Sequence, residues 1–184
     1  MHSLHCNAMN TYLPISYVLI LVVILGGVGW AIFRQVLRTQ KAERRLSKLQ
    51  SRLNEKPGKA QDYYELSSIY LDKKLYNQAV GQLQKALKAK GLKKKEDEAP
   101  IYNALGYAYF AQEQYDLAIR QYKEALKLCP DYVVALNNLG HVYERKQLTT
   151  QALEAYDEAL KYEPKNNTAK RRATVLRRRL APND

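Results

Sequence analysis

LGYAY at residues 105–109 returns as LGHVY at residues 139–143, so a pattern repeats after 34 residues. The likeness continues beyond the pentapeptides, because YKEALK at 122–127 corresponds to YDEALK at 156–161. A third copy begins with LSSIY at 66–70, and the five extra residues that separate it from the second copy belong to the charged run KKKEDE. A period of this length, with apolar residues at helical spacing, is typical of stacked helix–turn–helix repeats.

The three copies resemble the tetratricopeptide repeat (TPR) family at six spaced positions. The resemblance implies an all-α chain with three helical hairpins, stacked in a right-handed α-solenoid over residues 60–93, 99–132 and 133–166, with a charged insertion at 94–98. Position eight is small, so that the two helices of a hairpin approach closely, and position twenty-four is Leu or Tyr. These positions hold Ser67, Gly106 and Gly140, and Leu83, Tyr122 and Tyr156.

An apolar run precedes the repeats. Residues 15–33 read ISYVLILVVILGGVGWAIF, and no charged residue occurs in residues 1–33. Nineteen helical residues cover roughly 29 Å, which matches the hydrocarbon core of a bilayer. We therefore predict one transmembrane helix after an N-terminal tail at 1–14. A cleaved signal peptide is disfavoured, because the positive charge follows the apolar run and does not precede it.

The charge after this run predicts the orientation and two basic surfaces. Residues 34–56 are predicted to form a basic juxtamembrane helix, whose apolar stripe could form a short coiled coil or pack on the first repeat. The positive-inside rule then places the repeats on the cytoplasmic or stromal side. Residues 167–184 are predicted to form a basic capping helix and tail, for solubility or for binding acidic surfaces. The predicted basic surface comprises Arg34, Arg38, Lys41, Arg44, Arg45, Lys48, Arg171, Arg172, Arg177 and Arg178.

The composition argues against most other classes of protein. The sequence has no strand pattern, no glycine-rich loop after a strand and no catalytic constellation, and its two cysteines, Cys6 and Cys129, lie far apart. We therefore expect no enzyme activity, no cofactor, no metal site and no small-molecule substrate. The net charge of +12 raises the alternative of RNA binding, but the basic runs at 34–56 and 165–179 contain no aromatic residue on which bases could stack.

The TPR resemblance also predicts where a protein partner binds. The first helices of the repeats line a concave face in this family, and we expect Asn103 and Asn137 to hydrogen-bond a peptide backbone there. Tyr107 and Phe110 offer apolar area for a side chain. Hsp90-type TPR co-chaperones bind a C-terminal carboxylate with a clamp that includes a Lys and an Asn. Tyr64 and Ser68 occupy the places of those two residues here, so a C-terminal carboxylate is not the expected ligand. The predicted groove residues are Tyr64, Ser68, Asn103, Tyr107, Phe110, Asn137, His141 and Arg145.

The whole layout resembles the membrane-anchored photosystem I assembly TPR proteins of cyanobacteria and plastids. The segments ALGYAYFAQEQYDLAIRQYKEAL at 104–126 and ALNNLGHVYE at 135–144 carry most of this likeness. The resemblance implies a thylakoid location and an assembly factor that binds photosystem I subunits or intermediates. A general bacterial membrane scaffold for another complex is the alternative.

Overall fold

The structure is a computed structural model that describes the backbone of residues 3–181 and the side chains of residues 17–37, 40 and 43–181. Within residues 3–181 all regular structure is helical, which confirms the all-α prediction. The helices are α1 (Ser3–Glu55), α2 (Ala60–Asp72), α3 (Tyr76–Lys88), a short 3-10 helix (Lys95–Glu98), α4 (Ala99–Ala111), α5 (Tyr115–Leu128), α6 (Val133–Arg145), α7 (Thr149–Tyr162) and α8 (Asn167–Leu180).

The chain divides into two units, Met1–Lys48 and Leu49–Asp184. Within the first unit, Tyr17–Leu37 has a mean hydropathy of 2.1 and is long and apolar enough to cross a membrane. Each of its side chains is exposed. The predicted juxtamembrane helix continues directly from this stretch, because α1 runs without a break to Glu55. No Gly or Pro interrupts residues 34–56, and the Arg, Lys, Gln and Leu that fill much of this segment favour helix.

The second unit consists of three helical hairpins and a final helix. α2 pairs with α3, α4 with α5, and α6 with α7, while α8 packs on α7. Each hairpin turns through a residue with positive φ, at equivalent places in the repeats: Lys74, Glu113 and Gln147. The second helices of the later repeats end two residues before Pro130 and Pro164. These prolines are suited to the ends of helices because they lack the N–H that helix continuation needs.

Position eight brings the two helices of each hairpin together. A Cβ added to Gly106 would lie 2.6 Å from the Tyr122 ring, and one added to Gly140 would lie 2.8 Å from the Tyr156 ring. In the first hairpin the equivalent residue is Ser67, which is fully buried, as is Leu83. Leu83 stands where the later repeats hold the larger Tyr122 and Tyr156. Serine in place of glycine at position eight is thus accompanied by a smaller side chain at position twenty-four. The Ser67 hydroxyl donates to the Tyr64 carbonyl at 2.6 Å, which satisfies it.

The last turns of α1 cover the start of the stack. Leu49 is buried, and the Gln50 amide donates to the Tyr70 hydroxyl at 2.6 Å. Arg52 forms an ion pair with Asp62 on α2. The apolar stripe within residues 34–56 was expected either to form a short coiled coil or to pack on the first repeat. Residues 49–55 pack on the first repeat.

The far end of the stack is covered by α8. Its first turn is capped by Asn166, whose side-chain oxygen accepts from the Ala169 amide at 2.9 Å. Ala169, Ala173 and Leu176 are buried in the core cluster of the third repeat. Apart from the partly buried Arg172, the polar side chains of α8 are exposed, as a terminal helix of a solenoid requires.

The charged insertion, expected as a loop, contains the 3-10 turn Lys95–Glu98. The Asp97 carboxylate stabilises it by accepting from the Lys93 and Lys94 amides at 3.0 and 2.9 Å. These hydrogen bonds lower the pKa of Asp97. Gly91, just before the insertion, has φ 116°, a conformation that favours glycine.

Candidate protein-binding groove

The first helices of the second and third repeats present neighbouring polar side chains. The Asn138 amide on α6 donates to the Asn103 side-chain oxygen on α4 at 3.0 Å. Asn137, which the sequence predicted for peptide binding, has its side-chain oxygen buried with no hydrogen-bond partner in the described part of the chain. Asn138 is therefore the residue that bridges the two helices, and the repeat alignment alone did not indicate it.

An aromatic cluster lies at the other end of the same helices. The Phe110 ring on α4 is 4.9 Å from the His141 ring on α6 and 5.8 Å from the Tyr115 ring at the start of α5, measured between centroids. Burial lowers the pKa of His141, and the nearby Arg172 lowers it further. His141 is thus neutral near pH 7 and can hydrogen-bond a ligand without adding charge.

Arg145 adds a cation beside the aromatic cluster. Its guanidinium donates to the Tyr115 hydroxyl at 3.0 Å and lies 5.8 Å from the centre of that ring. Glu113 is 3.9 Å away, but both charged side chains are largely exposed, so this ion pair is weak. Arg145 is therefore held in place by Tyr115 while its charge stays accessible.

A partly buried network connects the third repeat to α8. The Tyr156 hydroxyl donates to Glu144 at 2.7 Å, and Arg172 contacts the other carboxylate oxygen at 3.3 Å. Burial and this carboxylate raise the pKa of Tyr156 far above its ordinary value. Arg172, predicted as part of a basic surface, thus has a structural role at the inner side of the capping helix.

The predicted groove residues do not form one continuous set of contacts. Tyr107 is exposed, with 45% of its surface accessible. In the first repeat, Tyr64 packs partly against the core and lines a cleft of about 390 Å³ beside the insertion. The Ser68 hydroxyl donates to the Tyr64 carbonyl at 3.1 Å within its own helix. The structure therefore joins Phe110, His141 and Arg145 directly or through Tyr115, keeps Asn103 in a separate contact with Asn138, and leaves Tyr64 and Ser68 apart from both.

The remaining predicted basic residues lie on α1 and α8. The side chains of Arg34, Arg44, Arg45 and Lys48 are exposed, whereas those of Arg38 and Lys41 fall outside the described side chains. On α8, Arg171 and Arg178 are exposed, and Arg177 pairs with Asp157 at 2.5 Å.

Comparison with known proteins identifies the repeats and the family. A family model described as TPR repeat matches residues 106–147, and models described as tetratricopeptide repeat match 60–91 and 133–166. The ycf37 protein of Cyanophora paradoxa is 36% identical over 168 residues, which cover 91% of this chain and 97% of that protein. This chain belongs to the ycf37 family. The ycf37 protein of Guillardia theta is 35% identical and covers 96% of this chain and 99% of its own length.

A plant relative and several solved structures extend the comparison. The chloroplastic TPR protein PYG7 of Arabidopsis thaliana is 35% identical, and the match covers 91% of this chain but 56% of PYG7. The crystal structure of MamA superposes with a TM-score of 0.69 at 24% identity, covering 78% of this chain and 81% of MamA. The first TPR of Spaghetti (RPAP3), bound to an HSP90 peptide, has a TM-score of 0.61 at 21% identity and covers 67% and 94%. At such identities the likeness shows the TPR fold alone.

Proposed function

We propose that this ycf37-family chain is a membrane-tethered adaptor whose groove binds protein partners during the assembly or stabilisation of photosystem I. The groove comprises Asn103, Tyr107, Phe110, His141 and Arg145 on α4 and α6. The observation that carries the proposal is the pair of contacts between α4 and α6, the Asn138–Asn103 hydrogen bond and the Phe110–His141 ring contact. Tyr107 lies between Asn103 and Phe110 on α4 and is exposed. Such a face combines apolar area for an anchor with polar groups that orient a peptide.

The tether is proposed from Tyr17–Leu37, whose length, apolarity and complete exposure suit a lipid environment. The positive charge of Arg34 and of the basic residues of α1 that follow supports an orientation with the repeats on the stromal or cytoplasmic face of the thylakoid. Anchoring raises the effective concentration of the groove near nascent membrane subunits without any new contact. Trypsin added to intact thylakoids should then degrade the repeats, whereas repeats that stay protected until the membrane is lysed would contradict this orientation.

The photosystem I role rests on the family resemblance and is supported by the chloroplastic location in the name of the related PYG7. Deletion of the gene tests it, with photosystem I measured as photo-oxidisable P700 and photosystem II measured separately as variable fluorescence. We expect a selective loss of photosystem I. A normal photosystem I level would instead favour a scaffold for another membrane complex.

Complementation of the deletion strain distinguishes the groove from the rest of the surface. Tyr107→Ala removes an exposed ring in the groove, and Tyr162→Ala removes a ring of similar exposure, 46%, at the end of α7. We expect the Tyr162→Ala chain to restore photosystem I and the Tyr107→Ala chain to restore it only partly. Equal restoration by both would place the binding surface elsewhere.

A further inference from the structure

A cleft lined by lysines opens between the start of α2 and the end of α3, and it shares no residue with the groove. Its volume is about 610 Å³. We call it the lysine cleft, and it is lined by Pro57, Gly58, Lys59, Tyr63, Lys85, Lys88, Ala89 and Lys90. All four lysines are exposed. The lining contains no carboxylate, and none of the four ammonium groups has an ion-pair partner within the described side chains.

The other two repeats show that this charge is not required by the fold. In the second repeat Lys127 pairs with Glu124 at 2.7 Å, and in the third repeat Lys161 pairs with Glu158 at 2.5 Å. The position of these glutamates is occupied in the first repeat by Lys85, one turn before Lys88. The first repeat thus replaces a favourable i,i+3 ion pair with two like charges, which repel each other.

Lys59 and Lys90 also differ from the equivalent residues of the other two repeats. The positions of Lys59 and Lys90 hold Glu98 and Cys129 in the second repeat, and Tyr132 and Glu163 in the third. A cation in the last helical turn interacts favourably with the helix dipole, which accounts for Lys88 and its equivalents in all three repeats. The dipole also favours Lys85, which lies in the last turn of α3, but it does not account for Lys59 and Lys90, which lie outside the helices.

We propose that the lysine cleft binds an acidic segment of a partner polypeptide, as a second contact besides the groove. Carboxylates would relieve the mutual repulsion of the four ammonium groups, and charge complementarity of this kind steers and orients partners. Lysine ammonium groups act as separate point charges, which suits irregularly spaced Asp and Glu side chains, whereas phosphate recognition more often uses the planar fork of arginine. Pro57, Ala89 and the half-buried Tyr63 supply an apolar floor for the aliphatic parts of such a segment.

Nucleic acid is a poorer match to this cleft. Binding of single strands relies on aromatic faces on which bases stack. The one aromatic residue in the lining, Tyr63, is half-buried, and its hydroxyl accepts a hydrogen bond from the Gly58 amide at 3.3 Å. The ring is therefore fixed against the α1–α2 turn and does not stand out as a stacking platform.

The test uses the full chain in phosphatidylcholine nanodiscs and fluorescein-labelled octaglutamate as the probe, with binding followed by fluorescence anisotropy. Lys85→Glu restores the charge pattern of the later repeats, so the variant should fold. We expect it to weaken binding roughly tenfold, because one attraction is lost and one repulsion is added. The matched controls are Lys123→Glu on α5 and Arg178→Glu on α8, both exposed, and each should change the affinity less than twofold.

Lysine footprinting locates the probe directly. An amine-acylating ester, applied with and without octaglutamate and analysed by mass spectrometry, should show selective protection of Lys59, Lys85, Lys88 and Lys90. Uniform protection of all lysines, or equal weakening by the Lys85→Glu and control variants, would overturn the proposal in favour of non-specific charge attraction.

Two further arms separate this site from the alternatives. Tyr107→Ala should bind octaglutamate like the unmodified chain, so failure of the groove proposal and failure of the cleft proposal are distinguishable.

Capture of the nanodiscs by phosphatidylglycerol vesicles is measured with the same variants. Loss of vesicle capture in Lys85→Glu, with octaglutamate binding unchanged, would overturn the proposal and make the cleft a lipid-binding site.

Discussion

At the scale of single residues, position eight sets how closely the two helices of a hairpin approach. In the later repeats only glycine fits there, because any Cβ would meet a buried tyrosine ring. Gly81 offers a contrast, since it lies in α3 and an added Cβ would meet nothing within 4 Å. The same chain therefore holds two glycines that packing requires, Gly106 and Gly140, beside Gly81, which packing does not require.

We predict that Gly106→Ala lowers the free energy of unfolding by about 1–3 kcal/mol, because Tyr122 must shift to admit the methyl group. Gly81→Ala should raise it by about 0.5–1 kcal/mol through improved helix propensity. Urea unfolding of the detergent-solubilised chain, followed by circular dichroism at 222 nm, measures both. A stabilising effect of Gly106→Ala would show that the hairpins are less tightly packed than described.

His141 makes the stability of the fold depend on pH, and its environment determines the sign of that dependence. Its pKa in the folded chain lies below 6.5, chiefly because of burial and then because of Arg172, while Glu144 acts in the opposite direction. The unfolded chain therefore takes up this proton first as the pH falls. The stability contributed by neutral His141 is present above pH 6.5 and is lost as the pH falls through the interval between the two pKa values.

We expect the free energy of unfolding of the unmodified chain to fall more steeply between pH 7.5 and pH 5.5 than that of His141→Gln, which lacks the titrating ring. Taking the difference between the two chains removes the contribution of the other carboxylates and histidines. Parallel pH profiles would contradict the burial of His141 against Phe110.

At the scale of elements, the three hairpin turns share a strained residue. Lys74, Glu113 and Gln147 have φ near 60°, a region that costs a residue with a Cβ about 1–2 kcal/mol. Their equivalence across the repeats shows that the tight turn between the helices, and not the individual side chain, imposes this conformation.

Gln147→Gly is predicted to raise the free energy of unfolding by up to about 1 kcal/mol, since glycine adopts positive φ without strain. Gln151→Gly, at an exposed position inside α7, is the matched control and should lower it by about 1 kcal/mol. Thermal unfolding of the two variants side by side checks the prediction. Destabilisation by both would mean that the Gln147 side chain matters more than the turn.

The repeats show which elements a sequence can predict. The 34-residue period, together with Pro130 and Pro164, led to three hairpins and a terminal helix, because helix length and helix stops are local properties. Nothing in residues 34–56 breaks a helix, and α1 continues through this segment to Glu55. The Asn103–Asn138 bridge and the Glu144–Arg172 pair join residues 35 and 28 positions apart. Such pairs depend on how helices rotate when they pack, which the period does not determine.

At the scale of the whole molecule, three surfaces have separate proposed roles. The apolar stretch Tyr17–Leu37 is proposed to anchor the chain, the groove to hold a partner peptide, and the lysine cleft to hold an acidic segment. The lysine cleft could have been found by aligning the charges of the three repeats, because Lys85 stands where the others have glutamate. The grouping of Phe110, His141 and Arg145 could not, since it requires the helix packing.

The most direct measurement is photo-crosslinking from the groove in thylakoid membranes. A photoreactive amino acid in place of Tyr107 should crosslink the chain to photosystem I polypeptides, identified by mass spectrometry, while the same amino acid in place of Tyr162 should not. Absence of photosystem I polypeptides from the Tyr107 crosslinks, or the same products from both positions, would contradict a groove that binds photosystem I partners.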